Sequence, residues 1–352
     1  MENRFGVATL SLGSWKQHKL ETRLEEAAKA GFKWIDLFDD DWAAYLSENE
    51  QDPERPWDAT EGNLAVARKL GQFVKSRGMR IICTQPCREI EGIKDPNDRK
   101  RALDRVKSRF PFMRAFDTNL VFMCANTRTD AGVTSDFKTI ARDLAELGDA
   151  AAAYAQADGG PMIKIGYEGL SWATRNTWSS TWEVVRAANR GNVGLIVDSF
   201  HILAIEFADP YNPAGHGLMY PTLQESLQLL RSSLTSLTRT VPGDKIFFLQ
   251  VADAELVDAS TFSRPQDPNT PDLLPWARRY RLYPEEQSRG GYMPVDLVVA
   301  AVLQTGYSGP ISLEVFNDSL SSSDPSVPES HAARGFSGLQ RLITAVQKVP
   351  RF

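Results

Sequence analysis

The chain has 352 residues, of which 42% are hydrophobic and 24% charged, and its formal net charge is −5. These values are typical of a folded globular protein and exclude a largely disordered chain. The acidic balance, without long basic clusters, argues against nucleic acid as a partner. The N-terminus lacks the layout of a signal peptide, and no apolar run approaches the roughly 20 residues of a membrane span. We therefore expect a cytoplasmic protein with no membrane partner.

Short apolar segments alternate with amphipathic ones along the whole chain. The apolar segments predict strands at residues 5–10, 34–38, 80–84, 120–124, 162–168, 193–198, 246–250 and 311–314. The amphipathic segments predict helices at residues 20–30, 61–77, 99–116, 137–157, 178–188, 223–237, 295–305 and 335–346. Pro111 is expected to break or kink the third of these helices. Eight strands, each followed by a helix, favour parallel βα units. The sequence thus predicts an α/β fold in which residues 1–352 form one (β/α)8 TIM barrel domain.

Two long segments interrupt this alternation. Residues 209–220 are rich in Pro, Gly and Asn, and residues 256–292 form a long polar stretch with several prolines. Loops of this length inside a compact domain are uncommon unless they serve a functional site. In a barrel both would lie over the carboxyl-terminal ends of the strands, so they are expected to cover a substrate site.

Each of the last four predicted strands ends on a side chain that carries oxygen. These residues are Glu168, Asp198, Gln250 and Glu314. If the strands are parallel neighbours, three carboxylates and one amide oxygen meet at one end of the barrel, and such donors suit a hard divalent cation. A single acid at a strand end is more often solvated or paired in a salt bridge. Four together, with no counter-charge apparent in the sequence, favour a metal site.

One histidine and three arginines are candidates for the remaining chemistry. His201 follows Asp198 by three residues, and its near-neutral pKa suits proton abstraction, although a lone histidine is more often simply packed in the core. Arg88 follows the third predicted strand, whereas Arg278 and Arg281 lie in the long polar segment. A guanidinium can bind a substrate carboxylate with two hydrogen bonds, but a surface salt bridge explains each arginine equally well.

Several motifs together resemble those of a known enzyme family. They are residues 167–172 (YEGLSW), 198–201 (DSFH), 250–254 (QVADA) and 313–317 (LEVFN), with support from residues 37–41, 85–92 and 276–282. In this order, and over nearly the whole chain, they resemble the 3-dehydroshikimate dehydratases, which are xylose-isomerase-like TIM barrels. The resemblance implies conversion of 3-dehydroshikimate to protocatechuate with loss of water. It also implies that Glu168, Asp198, Gln250 and Glu314 bind Mg²⁺, Mn²⁺ or Co²⁺, which stabilises an enolate after a base, here His201, removes a proton.

Other functions within and outside this family remain open. A sugar or inosose isomerase, epimerase or dehydratase would use the same metal site, but a neutral sugar needs no arginine for a carboxylate. An endonuclease of the same superfamily that cuts abasic DNA is disfavoured, because it needs a histidine-rich zinc site and this chain has four scattered histidines. A small-molecule-binding protein without catalytic activity is also less favoured, because the proposed metal ligands are all present.

Overall fold

The computed structural model describes all 352 residues, and eight parallel strands close into a barrel. The barrel strands are β1 (Phe5–Ala8), β2 (Trp34–Phe38), β3 (Arg80–Cys87), β4 (Leu120–Cys124), β5 (Lys164–Glu168), β6 (Val193–Asp198), β7 (Ile246–Val251) and β10 (Ile311–Leu313). Each strand pairs with its neighbours in the chain order, and β10 closes the barrel against β1. The prediction of a (β/α)8 barrel is confirmed.

Helices surround the barrel, and at least one follows every barrel strand. They are α1 (Leu20–Ala30), α2 (Asp39–Glu48), α3 (Glu61–Ser76), α4 (Pro96–Lys107), α5 (Phe110–Ala115), α6 (Phe137–Asp158), α7 (Trp178–Ala188), α8 (Ser199–Glu206), α9 (Leu223–Thr240), α10 (Leu274–Arg279), α11 (Val295–Gln304) and α12 (Val327–Val346). None of these helices is long and apolar enough to cross a membrane. Because helices cover the outer face of the barrel, strands such as β6 are buried along their full length, which explains their continuous apolar sequence.

The helix prediction differs from the structure in two respects. The helix expected at residues 99–116, with a break or kink at Pro111, is two helices, α4 and α5. The break falls before Pro111, which lies in the first turn of the second helix, where proline is tolerated. Three short helices, α2, α8 and α10, were not predicted. α8 begins directly after β6 with the sequence SFHILAIE, and its first six residues are all buried. A helix that is apolar on all sides shows no amphipathic period, so the sequence pattern did not reveal it.

The two long segments contact each other and have local structure of their own. Residues 209–220 follow α8, so a helix separates them from the sixth strand. In residues 256–292 the chain forms α10 and then returns through β9 (Arg281–Leu282), which pairs antiparallel with β8 (Asp253–Ala254). The rings of Tyr211 and Phe262 stack at 5.2 Å and join the two segments. The β8–β9 pair anchors Arg281 beside the carboxyl-terminal ends of the barrel strands.

Candidate active site

The structure brings the four predicted metal ligands to one end of the barrel. Glu168 and Asp198 are the last residues of β5 and β6, and Glu314 comes directly after β10. In β7, Gln250 pairs with Asp198 of β6 on one side and with Ser312 of β10 on the other. Glu314 therefore lies two residues further toward the carboxyl-terminal rim than the residue that pairs with Gln250. All four residues are buried, with at most 5% of any of them exposed. Their positions follow from the parallel register of strands that all end at the same rim.

Two oxygens in this group have no hydrogen-bond partner. They are Oε1 of Glu168 and Oε1 of Gln250, and both are buried. A buried acceptor without a partner costs free energy, so such atoms call for a ligand that supplies positive charge. Carboxylate and amide oxygens are the donors that hard divalent cations prefer. The donor set therefore fits a divalent cation.

Arg281 lies among the buried acids and supplies a positive charge that the sequence did not reveal. Its Nη1 atom is 2.7 Å from Oδ2 of Asp198 and 3.1 Å from Oε2 of Glu314. The expectation that these carboxylates have no counter-charge is therefore wrong. The Nε atom of Arg281 donates to the Ala277 carbonyl, and Nη2 lies 3.3 Å from Nε2 of His201. The Nε and Nη1 nitrogens of this guanidinium thus have oxygen acceptors within the protein.

The pKa values of the buried acids are raised, because the acids are shielded from water and lie close together. Burial raises the pKa of Glu168 well above its usual range, and the nearby carboxylates of Glu314 and Asp198 raise it further. Burial also raises the pKa of Asp198 to about 6, although Arg281 acts in the opposite direction. The surroundings of both carboxyls therefore disfavour their charged forms, and a cation bound beside them would favour ionisation.

Arg88 and Arg278 differ from Arg281 because neither guanidinium donates a hydrogen bond within the protein. Arg278 lies over the ring of Phe316 at 4.1 Å, and Arg88 lies near the ring of Phe38 at 5.8 Å. Burial, followed by repulsion from Arg88, lowers the pKa of Arg278 to about 10. Both arginines line one small cavity, whose lining also includes Glu168, Trp172, His201 and Glu314. Two guanidiniums that line one cavity are suited to holding an anion there.

His201 is buried beside this cavity. Its Nδ1 atom accepts a hydrogen bond of 3.1 Å from the Ser171 backbone N–H. Its Nε2 atom is 3.7 Å from Oδ2 of Asp198. Burial lowers the pKa of His201 well below 6.5, and the charges of Arg281 and Arg278 lower it further. The imidazole is therefore neutral near pH 7, as a proton acceptor must be.

A second arrangement of metal ligands is also possible at this end of the barrel. One ligand atom each from Glu168, Asp198 and His201 lie within 4.8 Å of one another. In that arrangement His201 would bind the cation and could not act as a base. The sequence prediction uses Gln250 and Glu314 instead, and the two arrangements are distinguished experimentally below.

The sequence reasoning missed two residues that contact the predicted ligands. Asp36 in β2 and Gln85 in β3 are buried, and both make hydrogen bonds to the ligand group. The signal was present in the sequence WIDLF, where a carboxylate interrupts a strand that is otherwise apolar. A buried charge in the middle of a strand requires polar partners, which can be identified only once the barrel is closed.

Comparisons with known proteins agree with this geometry. Residues 24–340 match the model of the family described as xylose isomerase-like TIM barrel. A 3-dehydroshikimate dehydratase of Neurospora crassa is 31% identical over 351 residues, which cover 97% of this chain and 94% of that protein. A 3-dehydroshikimate dehydratase of Pseudomonas putida is 31% identical over 89% of this chain, which spans 38% of that protein. The solved structure of a xylose isomerase-like TIM barrel/4-hydroxyphenylpyruvate dioxygenase fusion protein superposes with a TM-score of 0.70 at 28% identity, covering 97% of this chain and 43% of the fusion protein.

Proposed function

The chain belongs to the xylose isomerase-like TIM-barrel family, within its group of 3-dehydroshikimate dehydratases, and from this premise we propose that it dehydrates 3-dehydroshikimate to protocatechuate. The reaction removes one molecule of water from a cyclic keto acid and leaves an aromatic ring. Such an enzyme must bind a carboxylate, remove a proton next to a ketone and release a hydroxyl group. The cavity contains candidate residues for binding the carboxylate, Arg88 and Arg278, and for removing the proton, His201.

The observation that carries this proposal is the pair of unpaired guanidiniums, Arg88 and Arg278, beside buried acids and a neutral histidine. A substrate carboxylate would accept hydrogen bonds from both arginines and relieve their mutual repulsion. An inosose or another neutral sugar carries no group that needs them. The arginines therefore favour a carboxylate substrate over the isomerase and epimerase alternatives. Arg281, which already has partners in the protein, is better suited to orienting Asp198 and Glu314 than to binding substrate.

We assign Glu168, Asp198, Gln250 and Glu314 as ligands of a divalent cation, and we infer Mg²⁺, Mn²⁺ or Co²⁺ because the donors are all oxygens. When bound, the cation would supply the positive charge that stabilises negative charge developing on the substrate oxygen. The unpartnered Oε1 atoms of Glu168 and Gln250 support this assignment.

Each residue around the cavity has a separate role in the proposed reaction. Arg88 and Arg278 orient the ring by its carboxylate, which sets the ketone side toward the acids. His201 is the candidate to remove the proton next to the ketone. A neutral imidazole has one N–H, so while Nδ1 accepts from the Ser171 N–H the ring proton lies on Nε2. To act as the base, the ring must give up the Ser171 contact or pass its Nε2 proton toward Asp198, 3.7 Å away. Trp172 and Phe316 line the cavity and would shield the reacting face from bulk water. Loss of the hydroxyl as water followed by enolisation gives the aromatic product, which makes the reaction strongly favourable.

The proposal predicts that the purified protein, supplied with Mg²⁺, Mn²⁺ or Co²⁺, converts 3-dehydroshikimate to a catechol that absorbs in the near ultraviolet. EDTA should stop the reaction, and an excess of the same metal should restore it. An inosose serves as the comparison substrate. Turnover of the inosose without turnover of 3-dehydroshikimate would reject the proposed function in favour of the isomerase alternative.

Arg278→Ala and Arg88→Ala are each expected to lower kcat/KM for 3-dehydroshikimate by roughly 10- to 100-fold, because a charge-assisted hydrogen bond contributes about 1.5–3 kcal/mol. Arg279→Ala is a matched control, since Arg279 is the next residue but is exposed and paired with Asp318. Its kinetics should equal those of the wild type in a steady-state assay. If Arg278→Ala behaved like Arg279→Ala, Arg278 would have no role in substrate binding.

A further inference from the structure

Asp36 makes hydrogen bonds across the barrel interior to residues of the proposed metal site. It lies in β2 and is fully buried, whereas Gln250 lies in β7, on the far side of β1 and β10. Oδ2 of Asp36 accepts a hydrogen bond of 2.8 Å from Nε2 of Gln250. The same oxygen accepts one of 2.9 Å from Nε2 of Gln85. One carboxylate oxygen thus fixes two glutamine side chains.

The orientation of the Gln250 amide decides whether this residue can bind a cation. A primary amide has an oxygen at one end and an NH2 group at the other, and only the oxygen can be a ligand. With its NH2 group held by Asp36, Gln250 leaves Oε1 buried and without a partner. If the amide were reversed, its NH2 group would face the cation, which is repulsive. Its oxygen would face Oδ2 of Asp36, and the present hydrogen bond from Gln250 Nε2 would be lost.

Through Gln85, Asp36 also positions a second proposed ligand, Glu314. Nε2 of Gln85 donates to Oδ2 of Asp36 and also to Oε1 of Glu314, at 3.0 Å. Asp36 therefore fixes Gln250 directly and Glu314 through Gln85. The other oxygen of Asp36, Oδ1, accepts only from the Cys83 thiol, at 3.1 Å.

We propose that Asp36 is a positioning residue, which contacts neither cation nor substrate but holds the Gln250 amide with its oxygen toward the metal site. This inference rests on the proposed metal assignment and extends it to a residue outside the ligand set. It predicts that the acceptor oxygen of Asp36, rather than its negative charge, sets the affinity for the cation. Groups that orient metal ligands typically contribute about 10- to 100-fold to metal affinity.

Calorimetric titration of the substrate-free protein with Mn²⁺ tests this inference. Asp36→Ala removes the acceptor and should weaken Mn²⁺ binding by about 10- to 100-fold. Asp36→Asn removes the charge but keeps one side-chain oxygen, which can accept the hydrogen bonds from Gln85 and Gln250. Its NH2 group would then face Cys83. This variant should retain most of the Mn²⁺ affinity. If the alanine variant does not fold, Asp36→Ser replaces it, because a serine hydroxyl is too short to reach either glutamine.

Cys83→Ala is the matched control, since it removes the donor to Oδ1 and leaves both contacts of Oδ2 intact. Its Mn²⁺ affinity should equal that of the wild type. Wild-type affinity in a folded Asp36→Ala protein would overturn the inference, and so would an Asp36→Asn protein as weak as the alanine variant. A wild-type protein that binds no Mn²⁺ would instead reject the proposed metal site, so the two failures are distinguishable.

Discussion

Replacing Glu314 with alanine is expected to abolish metal binding and turnover together while the barrel stays folded. Glu314 accepts a hydrogen bond from Gln85 at one oxygen and from Arg281 at the other, which holds its carboxylate at the rim beside the other proposed ligands. Loss of this ligand should lower kcat/KM by roughly a thousandfold or more, since a catalytic metal contributes several kcal/mol to stabilising the transition state. The fold should survive because Arg281 keeps its ion pair with Asp198, at 2.7 Å.

Metal analysis, the dehydratase assay and circular dichroism of the Glu314→Ala protein measure these three effects. Ser312→Ala is the matched control, because Ser312 lies two residues earlier in β10, is fully buried, and its hydroxyl has no hydrogen-bond partner. The control should retain metal and activity. A Glu314→Ala protein with full turnover would remove Glu314 from the site and with it the proposed set of four oxygen ligands.

Replacing His201 with alanine is expected to slow turnover strongly while metal binding persists. A positioned general base typically contributes about 10²- to 10⁴-fold to the rate, so a loss in that range is expected in kcat. The cation should remain because Glu168, Asp198, Gln250 and Glu314 are unchanged. Steady-state kinetics combined with Mn²⁺ titration separate the two properties. His216→Ala, in the loop at residues 209–220, is the control and should change neither.

The result for His201→Ala also decides between the two ligand arrangements. Loss of Mn²⁺ binding in parallel with the rate would favour Glu168, Asp198 and His201 as the ligands, because these three also lie close together. Normal kinetics would show that another residue removes the proton. Retained binding with a slow rate is the outcome that the proposed mechanism requires.

The fold and the position of the candidate site could be predicted because both depend on local patterns. A strand such as β6 is a continuous apolar run that ends in a carboxylate, and helices follow at regular intervals. Parallel strands in a barrel necessarily end at one rim, so Glu168, Asp198 and Glu314 had to be neighbours once the fold was inferred. The periodic helices were predicted on the same basis.

Contacts between residues distant in sequence could not be predicted in this way. Arg281 reaches Asp198 only because β8 and β9 pair and return the long segment to the barrel. Asp36 and Gln250 are 214 residues apart in sequence and meet only across the closed barrel. The position of Arg281 in the sequence therefore did not reveal that it neutralises part of the acidic charge, and nothing near Gln250 showed how its amide is oriented.

Anomalous X-ray diffraction from crystals soaked in Mn²⁺ would locate the proposed cation directly. We expect one strong anomalous peak at the carboxyl-terminal rim of the barrel, with oxygens of Glu168, Asp198, Gln250 and Glu314 about 2.0–2.6 Å away, as expected for hard cations and oxygen ligands. The Gln250 ligand should be Oε1, with its NH2 group still on Asp36. A peak coordinated by His201, with Gln250 and Glu314 outside bonding distance, or no peak at this rim, would rule out the site of four oxygen ligands.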